Sequence, residues 1–275
     1  MPYVEGADGI ELYLKEWGDP DGPPVVLIHG WPLNADSWDA QALALANAGH
    51  RVIAYDRRGF GRSEQTWEGY DYDTLADDLA AVIDATEAEA PALVGFSMGG
   101  GEVARYLSRH GGGVRKAVLV SSVVVPYLLK TADNPSGADA SVFDGIEAGI
   151  LADRPKFFAG FIKSFYGVGL ISHPVSDEVL DWTLGLALQA GLKGTLDCVD
   201  SFGKTDFRPD LAAFTMPTLI IHGTADQTVP IDASGRAAAK AIAGSKLIEY
   251  DGAPHGVLVS HKDRVSDDLV SFLAL

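Results

Sequence analysis

The stretch Ala92-Leu93-Val94-Gly95-Phe96-Ser97-Met98-Gly99-Gly100-Gly101 decides the reading of this chain. Its first three residues are apolar without alternation, as in a strand buried on both faces. Gly95 to Gly99 then form a G-x-S-x-G pattern, and residues 100–110 continue with helical spacing up to the stop at Gly111-Gly112-Gly113. A serine between a strand and a helix sits in a strained turn where neighbouring side chains would clash, which calls for Gly95 and Gly99 on either side. Its hydroxyl is raised at the mouth of the sheet. The helix beginning near Met98 aims free N–H groups at the same point. Ser97 is therefore the candidate nucleophile.

Outward from this turn, residues 25–28, 52–55, 117–120 and 218–221 read as further buried strands. Residues 10–17 alternate like a half-exposed strand, and 246–250 read as a last strand nearer an edge. Helical patterns cover residues 37–48, 74–86, 231–243 and 263–273, with Thr74 as the expected N-cap of the second and Asp77 and Asp78 in its first turns. Strands alternating with helices predict a mostly parallel sheet covered on both faces. The rhythm breaks across residues 127–206, which carry helical segments and no buried strand. The expected organisation is a core of residues 1–126 and 207–275 with a helical cap, 127–206, inserted in it. Phe157, Phe158, Phe161 and Phe165 fall on one helical face; they form the core of the cap, and one or two of them can also line a pocket.

A neutral serine hydroxyl needs a base poised near neutral pH. Of seven histidines, His50 and His110 sit at expected helix ends, His173 lies in the cap, His261 lies near a helix start, and His29 and His222 end buried strands. His255 lies in the loop Gly252-Ala253-Pro254-His255-Gly256 between the last strand and the last helix, where a base can reach Ser97. Asp226, in the loop after residues 218–221, is the candidate acid that would orient His255; Asp232 is the fallback. The expected oxyanion donors are the backbone N–H groups of Met98, after the nucleophile, and of Trp31, in the loop His29-Gly30-Trp31-Pro32. His29 reads as a residue that holds this loop. Gly59 and Gly61 begin a dinucleotide-like fingerprint, but its third position is Glu64. No phosphate-loop pattern or metal-ligand cluster is visible, so no cofactor and no metal are expected.

Bulk properties narrow the partners. With 21 Lys and Arg against 38 Asp and Glu, the net charge is −17, which repels nucleic acid and anionic membranes. The single cysteine, Cys198, allows no intrachain disulfide. The N-terminal residues lack a secretory pattern and no apolar run reaches the length of a membrane span, so a soluble, cytoplasmic protein is expected.

His29-Gly30-Trp31-Pro32, the run from Asp56 to Ser63, the run from Gly95 to Gly101 and Gly252-Ala253-Pro254-His255-Gly256 together resemble the cofactor-free (non-haem) bacterial haloperoxidases, also described as arylesterases and perhydrolases, with γ-lactamases as close relatives. The resemblance spans nearly the whole chain and is looser from about Pro135 to Asp206. It implies an eight-stranded α/β-hydrolase core with a small helical cap, a Ser97–Asp226–His255 triad, and Trp31 and Met98 as oxyanion donors. It further implies hydrolysis of small esters, with hydrogen peroxide able to replace water to give a peracid, and a homo-oligomer. Two other readings stay open at this level: amide or lactam hydrolysis on the same residues, and a ligand-binding protein on a disabled hydrolase fold.

Overall fold

The computed structural model describes residues 2–124, 130–132, 134–135 and 137–274. Eight strands form one sheet: β1 (Tyr3–Glu5), β2 (Glu11–Trp17), β3 (Pro24–Ile28), β4 (Arg51–Tyr55), β5 (Ala92–Phe96), β6 (Lys116–Val120), β7 (Thr218–Gly223) and β8 (Lys246–Tyr250). Their spatial order is β1-β2-β4-β3-β5-β6-β7-β8. β1 and β2 pair antiparallel, as do β2 and β4, and every later pairing is parallel. β5 and β7 are buried along their whole lengths, as their unbroken apolar runs require. The three-residue edge strand β1 is absent from the sequence-based reading, because so short a segment carries no period.

The sheet helices are α1 (Asp39–Asn47), α2 (Tyr72–Ala85), α3 (Met98–Arg109), α7 (Gly235–Ala241), α8 (Val257–Ser260) and α9 (Lys262–Leu273). The connection β3-α1-β4 moves one way across the sheet, while β4-α2-β5 and β5-α3-β6 move the other way. Right-handed crossovers then put α1 on one face and α2 and α3 on the opposite face. The reversal leaves a crevice at the carboxyl ends of the neighbouring strands β3 and β5, where sheets of this kind bind ligands.

Two helix expectations need correction. α2 starts at Tyr72, and its N-cap is Asp71, whose carboxylate accepts the Thr74 N–H at 3.0 Å. Burial of the Tyr72 ring in the core pulls the helix start forward. The single helix expected over residues 231–243 is a 3-10 turn followed by α7, broken at Ser234, because Gly235 packs tightly on the His222 ring.

Between β6 and β7 lie α4 (Ala140–Phe165), α5 (Asp177–Gln189) and α6 (Leu192–Lys204), and no strand of the sheet among the described residues. α4 is kinked at Asp153, ahead of Pro155. The expected junction at residues 126 and 127 lies outside the described residues. Among the described residues no helix is long and apolar enough to cross a membrane.

Candidate active site

The loops after β3, β5, β7 and β8 converge at one point. Ser97 has φ 52° and ψ −118°, a conformation that side-chain-bearing residues rarely hold. The backbone fixes it from both sides: its N–H donates to Val120 O at 2.9 Å, and its own carbonyl accepts from Gly100 N and Val123 N. A Cβ on Gly95 would lie 2.5 Å from Gly99 O, and one on Gly99 would lie 2.4 Å from Ile28 O. These approaches are the physical reason for the glycines around the serine.

The structure brings Ser97, His255 and Asp226 together, all three buried. Ser97 Oγ lies 3.0 Å from His255 Nε2, and His255 Nδ1 lies 2.7 Å from Asp226 Oδ2. A carboxylate only accepts, so Nδ1 carries the proton and Nε2 is free to accept from the serine hydroxyl. Asp226 Oδ1 accepts the backbone N–H groups of Thr228 (2.9 Å) and Val229 (2.8 Å), which locks the carboxylate plane. Burial would raise the Asp226 carboxyl, but the facing His255 and His222 outweigh it and hold the group well below the usual carboxylate range. The fallback acid, Asp232, is exposed and paired with Arg236, away from His255.

Met98 opens α3, so its N–H has no acceptor one helical turn back. Trp31 lies on the facing loop. Gly30 lets that loop press on the nucleophile turn, since a Cβ there would be 2.8 Å from the Phe96 ring and 3.0 Å from the Ser97 Cβ. The two backbones therefore face one space beside the serine. His29 braces the loop: its Nε2 accepts the Arg57 N–H and its Nδ1 donates to Gly30 O, both at 2.9 Å. Burial, and then the neighbouring Arg57 charge, push its basicity far down, so it stays neutral.

Sequence reasoning passed over the buried polar group beneath this loop. Arg57 Nε donates to Glu102 Oε1 at 2.6 Å, Arg57 Nη2 donates to His29 O at 2.7 Å, and Tyr55 Oη donates to Glu102 Oε2 at 2.6 Å. Arg57 and Glu102 are wholly inaccessible to solvent. They tie the loop of His29 and Trp31 to the helix that carries Met98. The available signal was a charged run directly after a buried strand, joined to a lone glutamate among buried positions of α3. Asp78, expected to serve the helix dipole, instead forms a buried pair with Arg58, Nε to Oδ2 at 2.6 Å.

A small pocket of about 50 Å³ reaches Ser97 and His255. Among the described residues its other walls are mainly apolar, with Trp31, Val123, Phe143, Phe161, Phe202 and Val229 among them. Of the four phenylalanines expected on one face of α4, Phe158 and Phe165 are buried and Phe161 reaches the pocket. The Phe165 ring also meets His255 edge-on at 4.9 Å. Cys198 is buried in α6, and burial pushes its thiol up to about 12, which leaves it unreactive. Among the described residues no group of three or more His, Cys, Asp or Glu side chains is placed to hold a metal ion.

Comparisons with known proteins identify the fold and its family. Residues 23–262 match the family model for the alpha/beta hydrolase fold. A non-heme chloroperoxidase of Kitasatospora aureofaciens is 42% identical over 99% of this chain and 99% of its own. A bifunctional esterase/perhydrolase of Acinetobacter calcoaceticus is 40% identical with the same coverage. The crystal structure of a bromoperoxidase from Bacillus anthracis superposes with a TM-score of 0.94 at 45% identity, covering 98% of each chain.

Proposed function

The chain belongs to the α/β-hydrolase fold family, in the branch of the non-haem haloperoxidases and esterase/perhydrolases, and from that premise we propose that it is a serine esterase for small neutral carboxylic esters. Ser97 is the nucleophile, His255 the base, Asp226 the orienting acid, and the Trp31 and Met98 N–H groups the oxyanion donors. The observation that carries this reading is the unbroken hydrogen-bond chain from Ser97 Oγ through the His255 ring to Asp226.

In the first step Ser97 Oγ bonds to the ester carbonyl carbon while its proton passes to His255 Nε2. The carbonyl oxygen takes the electron pair and is held by the two N–H groups. Asp226 stabilises the imidazolium. Collapse breaks the bond to the alkoxy oxygen, which leaves with the proton from His255, and an acyl-enzyme remains. Water then attacks the acyl carbon, giving its proton to His255. The second collapse returns that proton to Ser97 and releases the acid. Hydrogen peroxide in the place of water gives a peracid by the same proton transfers, with its O–O bond intact. The name of the Acinetobacter relative supports this second outcome.

Among the described residues His255 is the one ionisable side chain on the pocket wall and the rest are mostly aromatic and aliphatic, which favours neutral acyl and alcohol groups of modest size. The net charge of −17 supports an enzyme that engages neither nucleic acid nor an anionic membrane, and a cytoplasmic location is part of the same reading.

The test is turnover of p-nitrophenyl esters from acetate to octanoate, with and without peroxide, beside a bicyclic lactam. Expected are preference for short chains, peracid formation in peroxide, and covalent labelling of Ser97 by a fluorophosphonate. Faster turnover of the lactam would make the protein an amidase. No labelling would end the serine mechanism.

A further inference from the structure

His222 takes no part in the steps above, yet it lies against the acid. It stands near the end of β7, four residues before Asp226, and it is completely buried. Its Nε2 is 2.8 Å from the Val229 carbonyl, which only accepts, so Nε2 carries the proton. The same Nε2 is 3.3 Å from Asp226 Oδ2, the oxygen that receives His255. The carboxylate therefore feels the positive end of an N–H dipole whose main acceptor is Val229.

The other ring nitrogen has no partner among the described residues: Nδ1 is buried without a hydrogen bond. A donor placed there would be buried and unsatisfied, so the ring's hydrogen bonding runs through Nε2 alone. Gly235 closes the opposite side, where a Cβ would come within 2.7 Å of Nδ1. Across the sheet, Glu249 is the β8 register partner of His222, and its carboxylate is taken up by Arg236 at 2.7 and 2.8 Å. The ionisable groups facing the ring are thus Asp226 and the neutralised Glu249, with His255 beyond the Asp226 carboxylate.

Val229 closes the circuit. Its N–H donates to Asp226 Oδ1, its carbonyl receives His222, and its side chain lines the substrate pocket. One buried ring thus holds both the acid turn and a piece of pocket wall onto the end of β7.

Building on the esterase reading, we propose that His222 is a positioning residue that sets the orientation and the field of Asp226, and through it the basicity of His255. Its N–H dipole lowers the pull of Asp226 on the imidazolium proton and keeps His255 available as a base. Without the dipole the carboxylate holds that proton more strongly, so His255 stays protonated to higher pH.

The experiment compares His222→Leu, which keeps bulk and loses the donor, with His222→Gln, which keeps an N–H near the Nε2 position. In the leucine variant, kcat for p-nitrophenyl acetate should fall by about tenfold or more, and the acidic limb of kcat/KM should move to higher pH. The glutamine variant should return the limb towards its wild-type position. A limb unmoved in His222→Leu, whatever the loss of Tm, would leave His222 a packing residue and overturn the proposal. Two measurements do not depend on turnover, and the first needs no variant. Ring-nitrogen NMR of the wild-type protein should find the His222 proton on Nε2; the opposite tautomer also overturns the proposal. The low-field His255 Nδ1 proton should move in His222→Leu and lie nearer its wild-type position in His222→Gln, and an unmoved proton in His222→Leu overturns the proposal. A wild-type protein without esterase activity would refute the esterase reading while these NMR results still decide the role of His222.

Discussion

The two sides of the active site are built from different forces. On the sheet side, Ser97, His255, Asp226 and the loop of Trp31 are held by short hydrogen bonds, a strained backbone, and the buried Arg57–Glu102 pair. On the cap side the site meets rings: Phe158, Phe161 and Phe202 pack edge-on around Trp31 with centroids 5.5–5.7 Å apart, and Phe143 joins the pocket wall. Directional bonds fix atoms to within the few tenths of an ångström that proton transfer needs. Ring packing fixes a shape and tolerates exchange of one apolar group for another. The difference teaches that rate and selectivity belong to separable parts of this molecule, and each prediction below strikes one side and watches the other.

The largest effect should come from the sheet side. Ser97→Ala should lower kcat by about 10⁴–10⁶-fold while Tm and the ordering of residual binding affinities across acyl lengths stay as in the wild type. The pH dependence belongs to the same side. The base works only when neutral, so kcat/KM should fall on the acid side of its pH profile. Asp226 is held well below the ordinary carboxylate range by its histidine partners and stays ionised throughout. The acid limb should therefore have the slope of a single proton; a two-proton slope would mean that Asp226 titrates alongside.

The buried pair sharpens the comparison through stability. Glu102→Ala leaves the Arg57 charge buried and the Tyr55 hydroxyl without its acceptor. The expected loss is ~3–5 kcal/mol in urea unfolding, with the surviving folded protein keeping its acyl-length preference. An Arg57→Met, Glu102→Leu double variant should be less destabilised than the single one, because no lone charge remains. Phe143→Ala, on the cap side, should reverse the pattern. It opens the pocket at a ring that covers Gly203 and neighbours Phe202, and should improve longer acyl groups relative to acetate by roughly 10–100-fold, with kcat for acetate little changed. Competition between acetate and hexanoate esters measures it directly.

The same division governs what a sequence reveals. Ser97, Asp226 and His255 stand out because each follows a strand, buried throughout for the first two and nearer the edge for the third, in a loop where glycine or proline marks a turn; strands buried on both faces announce themselves as apolar runs. Backbone requirements such as Gly95 and Gly99 are written locally. The Arg57–Glu102 brace is not, since its members are 45 residues apart and meet only when β4 and α3 are packed. The Asp71 cap and the break at Ser234 were missed for a related reason: burial of Tyr72 and the His222–Gly235 contact, both tertiary, decide where those helices begin. In the cap, phenylalanine spacing gives a buried face but not which ring reaches the pocket, because the kink at Asp153 and the packing of α4 against α5 and α6 settle that.

The smallest predicted effect tests the seam between the two sides. Trp31 belongs to both: its backbone faces the serine, and its indole Nε1 donates to Thr195 O of α6 at 3.0 Å. Trp31→Phe keeps an aromatic ring and the backbone N–H but removes this link. The lost hydrogen bond is worth about 1 kcal/mol, so Tm should fall by ~2–4 °C for a chain of this size. The kcat for the shortest ester should stay within about threefold of wild type, since an intact oxyanion donor leaves transition-state stabilisation in place. Discrimination between short and long acyl chains should weaken, because α6 and Phe202 are less firmly held over the pocket. A hundredfold loss of kcat with an unchanged Tm would instead mean that the cap positions the oxyanion loop itself, and that rate and selectivity in this molecule share one support.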